Sequence, residues 1–123
     1  MDDGKPNIIK DKSFELAITI VGVYRYLQEE RNEFVLSKQL LRSGTSIGAN
    51  VREAVNAEST KDFIHKMSIA QKECDETMYW LELLKSTGYI DSKQFDKIKN
   101  QANEIYKILK SIIITTKQKK PNS

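Results

Sequence analysis

Apolar residues recur along this chain at intervals of three and four, the period of a helix, in four stretches separated by short polar connections. The last stretch is the most regular. Phe95, Ile98, Ala102, Ile105, Leu109 and Ile112 step by 3, 4, 3, 4 and 3, a heptad seam along one helix face. Ahead of it, Phe63, Met67, Ala70, Cys74, Thr77/Met78, Leu81 and Leu84 predict a third helix of roughly 27 residues, capped at its start by Ser59 or Thr60. Gly88 suits the left-handed position just past that helix. Asp91 and Gln94 form a capping box for the next one, with Ile90 and Phe95 as its hydrophobic staple.

The first two helices are less sharply patterned. From about Asp11 to Glu30 the stripe Phe14, Ala17/Ile18, Val21, Tyr24 and Leu27 is expected to face the core. Leu16, Ile20 and Val23 make the opposite flank apolar as well, which exceeds what one bundle helix needs. That flank is expected to meet another subunit, so a charge at Ile20 or Val23 should break assembly and spare helicity. The second helix runs from about Phe34 to Asn56, with Leu36, Leu40, Ile47, Val51 and Ala54/Val55 inward. Gly44 and Gly48 each cost it about 1 kcal/mol relative to Ala, so a kink or a close helix crossing is expected there. Their small-xxx-small spacing lacks the surrounding apolar 20-mer of a membrane dimer, which leaves close packing inside a bundle. Short connections force neighbours to run antiparallel, giving an all-α, up-down-up-down four-helix bundle. One domain is expected over residues 1–123, with a short disordered N-terminus and a disordered basic tail, KQKKPNS, from about Lys117.

Composition agrees with a folded helical domain. Hydrophobic residues are 39% and charged residues 30%, well away from the signature of disorder. Both prolines, Pro6 and Pro121, lie near the chain ends, where they break no helix interior. The N-terminal MDDGKPNIIKDK has acids where a signal peptide would be basic, and the richest apolar stretch, Phe14 to Leu27, is short and interrupted by Glu15 and Arg25. A cytoplasmic protein with no membrane association is expected. The net charge of +3 is unevenly spread. From Asp91 onward, Lys93, Lys97, Lys99, Lys107, Lys110, Lys117, Lys119 and Lys120 face only Asp91, Asp96 and Glu104, so this quarter carries +5 and the rest −2. A basic end of this kind suits a polyanionic partner, and is also an ordinary solvated helix face.

Little catalytic chemistry is legible. Cys74 is the only cysteine, which excludes an intrachain disulfide, and its place on the apolar seam suits a buried small hydrophobe better than a nucleophile. Asp62 and His65 have the carboxylate-x-x-His spacing of bundle metal sites, but the second histidine such sites need is absent. The five glycines form no phosphate-cradling loop. Tyr79 and Trp80, beside Glu76 and Glu82, suit a core or subunit contact more than a base-stacking platform. The second helix carries a polar stripe, Ser43, Ser46, Asn50 and Glu53, flanked by Arg42 and Arg52. Small hydroxyls and an amide there fit an interhelix hydrogen-bond network that fixes register, or else a ligand or RNA contact.

The stretch LLRSGTSIGANVREA and the following AESTKDFIHKMSIAQKECDETMYWLELLKSTGYI resemble the family of 23S rRNA-intervening-sequence proteins, and the resemblance runs from Lys10 to Ile114. It is carried by Arg42-Ser43, Ser46-Ile47, Ala49-Asn50-Val51, Glu53, Asp62-Phe63 and Leu84 to Ile90. Gly48 stands where many members have proline, a difference that bears on the sharpness of a kink and not on the fold. The resemblance implies a four-helix bundle assembled as a homopentamer, with no enzyme activity and no cofactor. A related branch, the accessory variability protein of diversity-generating retroelements, implies a basic pentameric barrel that binds nucleic acid and a reverse transcriptase. Together these point to a non-enzymatic oligomer binding RNA or DNA, with Lys107, Lys110, Lys117, Lys119 and Lys120 on phosphate and Arg42 and Arg52 as secondary contacts. The alternative is a scaffold for another polypeptide, with the lysines serving solubility only.

Overall fold

The computed structural model describes residues 5–119, with side chains from residue 8. Four helices, α1 (Lys5–Glu29), α2 (Leu36–Val55), α3 (Thr60–Ser86) and α4 (Ser92–Lys119), account for its regular structure, and there is no strand among the described residues. α1 begins six residues before the expected Asp11, because Pro6 falls in the first turn, where its missing N–H leaves no bond unmade. α4 runs on through Lys117 to Lys119, so this part of the expected tail is helical.

The helix ends follow local chemistry. The Ser59 hydroxyl accepts the Asp62 amide at 3.0 Å to start α3. Gly88, at φ +84°, ends it, with the Tyr89 amide donating to the Leu84 carbonyl and the Gly88 amide to that of Lys85. Asp91 and Gln94 exchange side-chain-to-amide bonds of 2.8 and 3.0 Å at the start of α4. α2 has an unexpected cap: the Glu33 carboxylate accepts the amides of Val35, Leu36 and Ser37 at 3.1, 2.9 and 2.6 Å. Burial pushes the Glu33 carboxyl up, but the amides of Leu36, Ser37 and Val35 outweigh it and hold the group below the usual carboxylate range.

Contacts between side chains fix the antiparallel order. On the α1/α2 side, Ser13 lies by Gly48 and Ile20 by Gly44. Between α2 and α3, the Glu53 carboxylate meets Lys66 at 2.7 Å and, at the middle of the joint, the buried hydroxyls of Ser43 and Thr77 lie 3.0 Å apart. Cys74 Sγ contacts the Ala102 carbonyl at 3.3 Å, and Lys12 reaches across from α1 to Glu104 of α4 at 3.1 Å. Each helix therefore packs on two neighbours, with α1 closing the bundle against α4. The polar stripe of α2 resolves into this α2/α3 joint, with Asn50 Nδ2 turned back on the Ser46 carbonyl and hydroxyl.

Three helices bury the stripes read from the sequence, but α1 buries the other one. Ile9, Leu16, Ile20 and Leu27 are fully buried, while Phe14 and Ile18 are 53% and 58% exposed. Leu16 and Ile20 of the expected outer flank are thus core, and Phe14 and Ile18 of the expected core stripe lie outside, while Leu27 is buried as expected. The reason lies in α2. Gly44 and Gly48 leave a trough that receives the Ser13 backbone and the branched Ile20 side chain, and Phe14 is too large for either place. The expectation that a charge at Ile20 would spare the subunit fails with it.

Candidate nucleic-acid interface

Antiparallel packing sets the C-terminal half of α4 beside the N-terminal half of α3, at a level fixed by the Cys74–Ala102 contact. Lys107, Lys110, Lys117 and Lys119 are all exposed on α4, the first three at helical spacings of 3 and 7 that place them along one side. Lys120 lies outside the described residues. Lys117 and Lys119 also occupy the last turn, where cations meet the negative end of the helix dipole. The C-terminal half of α4 carries no carboxylate, and Glu104 just ahead of it is engaged by Lys12 of α1.

The structure adds a second row that no sequence signal marked. Lys61, His65 and Lys72 are exposed on α3 at spacings of 4 and 7, alongside the α4 lysines. Of the carboxylates near them, Glu73 is engaged by Arg42 and Asp62 lies near Lys66, which Glu53 holds, while Asp75, one turn from Lys72, is exposed. Five lysines from two helices, Lys61, Lys72, Lys107, Lys110 and Lys117, thus share one face without an ion pair to any described residue, while Lys119, two residues past Lys117, turns to the other side of α4. Their separation in sequence hid the grouping, since it depends on how α3 and α4 align.

Neither arginine joins this face. Arg42 is committed on the α2/α3 side, where Nη2 lies 3.2 Å from Glu73 and also pairs with Glu76, whose carboxylate accepts Trp80 Nε1 at 3.0 Å. The Glu76 and Glu73 bonds push the guanidinium's pKa up, and Arg42 with Trp80 hold the Glu76 carboxyl down. With two carboxylates on it, Arg42 is a poor phosphate ligand. Arg52 sits 5.3 Å above the Phe14 ring on the α1/α2 side. Arg52 and Phe14 line a shallow groove of about 200 Å³ with Lys10, Ala17, Thr45, Gly48 and Ala49. This groove and the neighbouring Ile18 form the exposed apolar face of α1 and α2.

The remaining candidates have bland placements. Burial first, and then Asp75, push the Cys74 thiol up to about 12, so it is no nucleophile near neutral pH. Among the described residues no three His, Cys, Asp or Glu side chains gather as a metal site, and Asp62 and His65 have no third partner. Tyr79 and Trp80 meet edge to face at 4.9 Å, with Tyr79 57% exposed between the exposed Asp75 and Glu82. No helix among the described residues is long and apolar enough to cross a membrane.

Comparison with known proteins agrees with the architecture. The family model described as 23S rRNA-intervening sequence protein matches residues 5–111. A crystal structure of a protein with unknown function from the S23 ribosomal protein family of Bacteroides thetaiotaomicron is 58% identical. It superposes with a TM-score of 0.88, over 89% of this chain and 97% of that one. No curated protein matches the chain.

Proposed function

The chain belongs to the 23S rRNA-intervening sequence protein family, and on that premise we propose that it is a non-catalytic, self-associating cytoplasmic protein that binds nucleic acid, RNA foremost, through the α3/α4 lysine face. The observation that carries this reading is the face itself. Lys61, Lys72, Lys107, Lys110 and Lys117 stand together, with Glu73 and Glu104 held elsewhere and Asp75 as the exposed carboxylate beside Lys72. Each phosphate neutralised releases condensed counterions, so five contacts imply an affinity that falls about five-hundredfold between about 50 and 200 mM salt.

Self-association is the second part of the proposal. The exposed Phe14 and Ile18, with the groove beside them, are supports for a subunit contact, because apolar surface of this kind usually marks protein contacts. The five-membered ring implied by the family resemblance would present the lysine face five times and raise avidity without any new contact. The same groove, with Lys10 and Arg52 at one end, also favours a second reading in which an acidic, amphipathic polypeptide docks there.

RNA binding by the full chain, followed by fluorescence anisotropy across a salt series, tests the main reading. Binding that does not weaken with salt, or that survives Lys107→Ala with Lys110→Ala undiminished, refutes it. Recovery of a polypeptide and no nucleic acid from affinity capture, lost on Phe14→Glu, favours the second.

A further inference from the structure

We propose that the nucleic acid suited to the α3/α4 face is a duplex gripped by both phosphate backbones, an inference that rests on the nucleic-acid reading above. Two observations carry it.

The first is the arrangement of the cations. They form two rows, Lys61 and Lys72 on α3 and Lys107, Lys110 and Lys117 on α4. Axes of packed helices lie about 8–10 Å apart. Each row runs about 15–18 Å along its helix at 1.5 Å per residue. A single strand offers one file of phosphates and engages one row. A duplex offers two files across a groove, and a two-row surface of this width meets both, as in the wide, shallow minor groove of A-form RNA.

The second observation is where the aromatic rings lie. Single-strand binders set rings among their cations, because stacking on the bases supplies much of their affinity. Here the exposed Phe14 sits in the α1/α2 groove under Arg52, and Phe34 is in the α1–α2 connection at the other end of the bundle. Tyr79 follows Lys72 along α3, but the exposed Asp75 and Glu82, about one turn to either side, repel a phosphate path. Tyr106 is packed against the core. With the small His65 ring as the exposed ring among these lysines, the face offers far more charge than stacking surface, which suits a backbone grip with little sequence discrimination.

The test compares four fluorescent probes against the full chain: RNA and DNA duplexes of about 16 base pairs, and one strand of each. Each duplex is expected to bind about tenfold more tightly than its strand at equal salt, since both rows engage. Lys61→Ala with Lys72→Ala should lower the salt slope by about two on duplex and leave it unchanged on single strand. Circular dichroism checks that this surface variant stays folded. Duplex preference in either pair supports the proposal, and the tighter duplex names the helical form. Single strands that bind as tightly as duplexes, or an α3-row variant that weakens both alike, overturn the duplex assignment and leave nucleic-acid binding standing. Failure of all four probes at low salt overturns both.

Discussion

Replacing glycine by alanine in a helix interior ordinarily stabilises it by about 0.5–1 kcal/mol, because alanine loses less backbone entropy on folding. In this protein the same substitution should take opposite signs at two places. At Gly22, on the exposed side of α1, an added Cβ meets nothing within 4 Å, so Gly22→Ala should gain the full propensity term. At Gly44 the added Cβ would stand 2.8 Å from both Cγ1 and Cγ2 of Ile20, and 3.2 Å from its Cβ. Those atoms sit at a β-branch with one strongly preferred rotamer in a helix, and Ile20 is fully buried, so the side chain cannot swing aside. Relief requires α1 and α2 to separate, an overpacking cost of about 1–3 kcal/mol. Set against the propensity gain, Gly44→Ala should be neutral to about 2 kcal/mol destabilising, and about 1–3 kcal/mol worse than Gly22→Ala. Urea denaturation followed by circular dichroism, at one fixed protein concentration, measures both. Ile20→Ala should cost less in the Gly44→Ala background than alone, because the new methyl refills part of the cavity. Equal effects at Gly22 and Gly44, or an absence of coupling to Ile20, would refute the idea that glycine in α2 decides which face of α1 is buried.

Glu33 contributes stability present above its unfolded pKa and lost as pH falls through its lower folded pKa; Glu33→Gln should cost about 1–2 kcal/mol at pH 7 and flatten the acid side of the urea-midpoint profile. Phe14→Glu or Ile18→Glu should lower the mass in light scattering and keep helicity, whereas Ile20→Glu buries a charge and should unfold the subunit. A full-sized assembly from Ile18→Glu would remove the α1/α2 face as a contact. Arg42→Ala should leave the salt slope of RNA binding unchanged, while Lys107→Ala with Lys110→Ala should lower it by about two. A change in slope on losing Arg42 would show that phosphate displaces Glu73 and Glu76.

Where local chemistry decides, the sequence is legible. The α4 seam has apolar residues on one side only, and Gly88, Asp91 and Gln94 act within a few residues of themselves. α1 is apolar on two sides, so its own pattern permits either orientation, and the choice is made by the trough at Gly44 and Gly48 on a different helix. The lysines of α4 were visible as a cluster, but Lys61 and Lys72 join them only through the alignment of α3 with α4. Arg42 looked like a phosphate ligand because its neutralising partners, Glu73 and Glu76, lie more than thirty positions away along the chain. Glu33 gives no such local signal, because caps are ordinarily Ser, Thr, Asp or Asn next to the helix and this longer side chain reaches in from farther out.

The hydroxyl pair of Ser43 and Thr77 has a consequence beyond its own hydrogen bond. A seam built only from repeating apolar residues would let α3 slide along α2 by seven residues and meet an equivalent set of neighbours. In such a slipped state the bond between the two hydroxyls would be lost and each would keep only the carbonyl of its own helix, Leu40 for Ser43 and Glu73 for Thr77, a loss of about 0.5–1.5 kcal/mol for the pair. Two small polar groups therefore mark the one level at which the helices match, and the competing alignments are disfavoured without any gain in apolar contact.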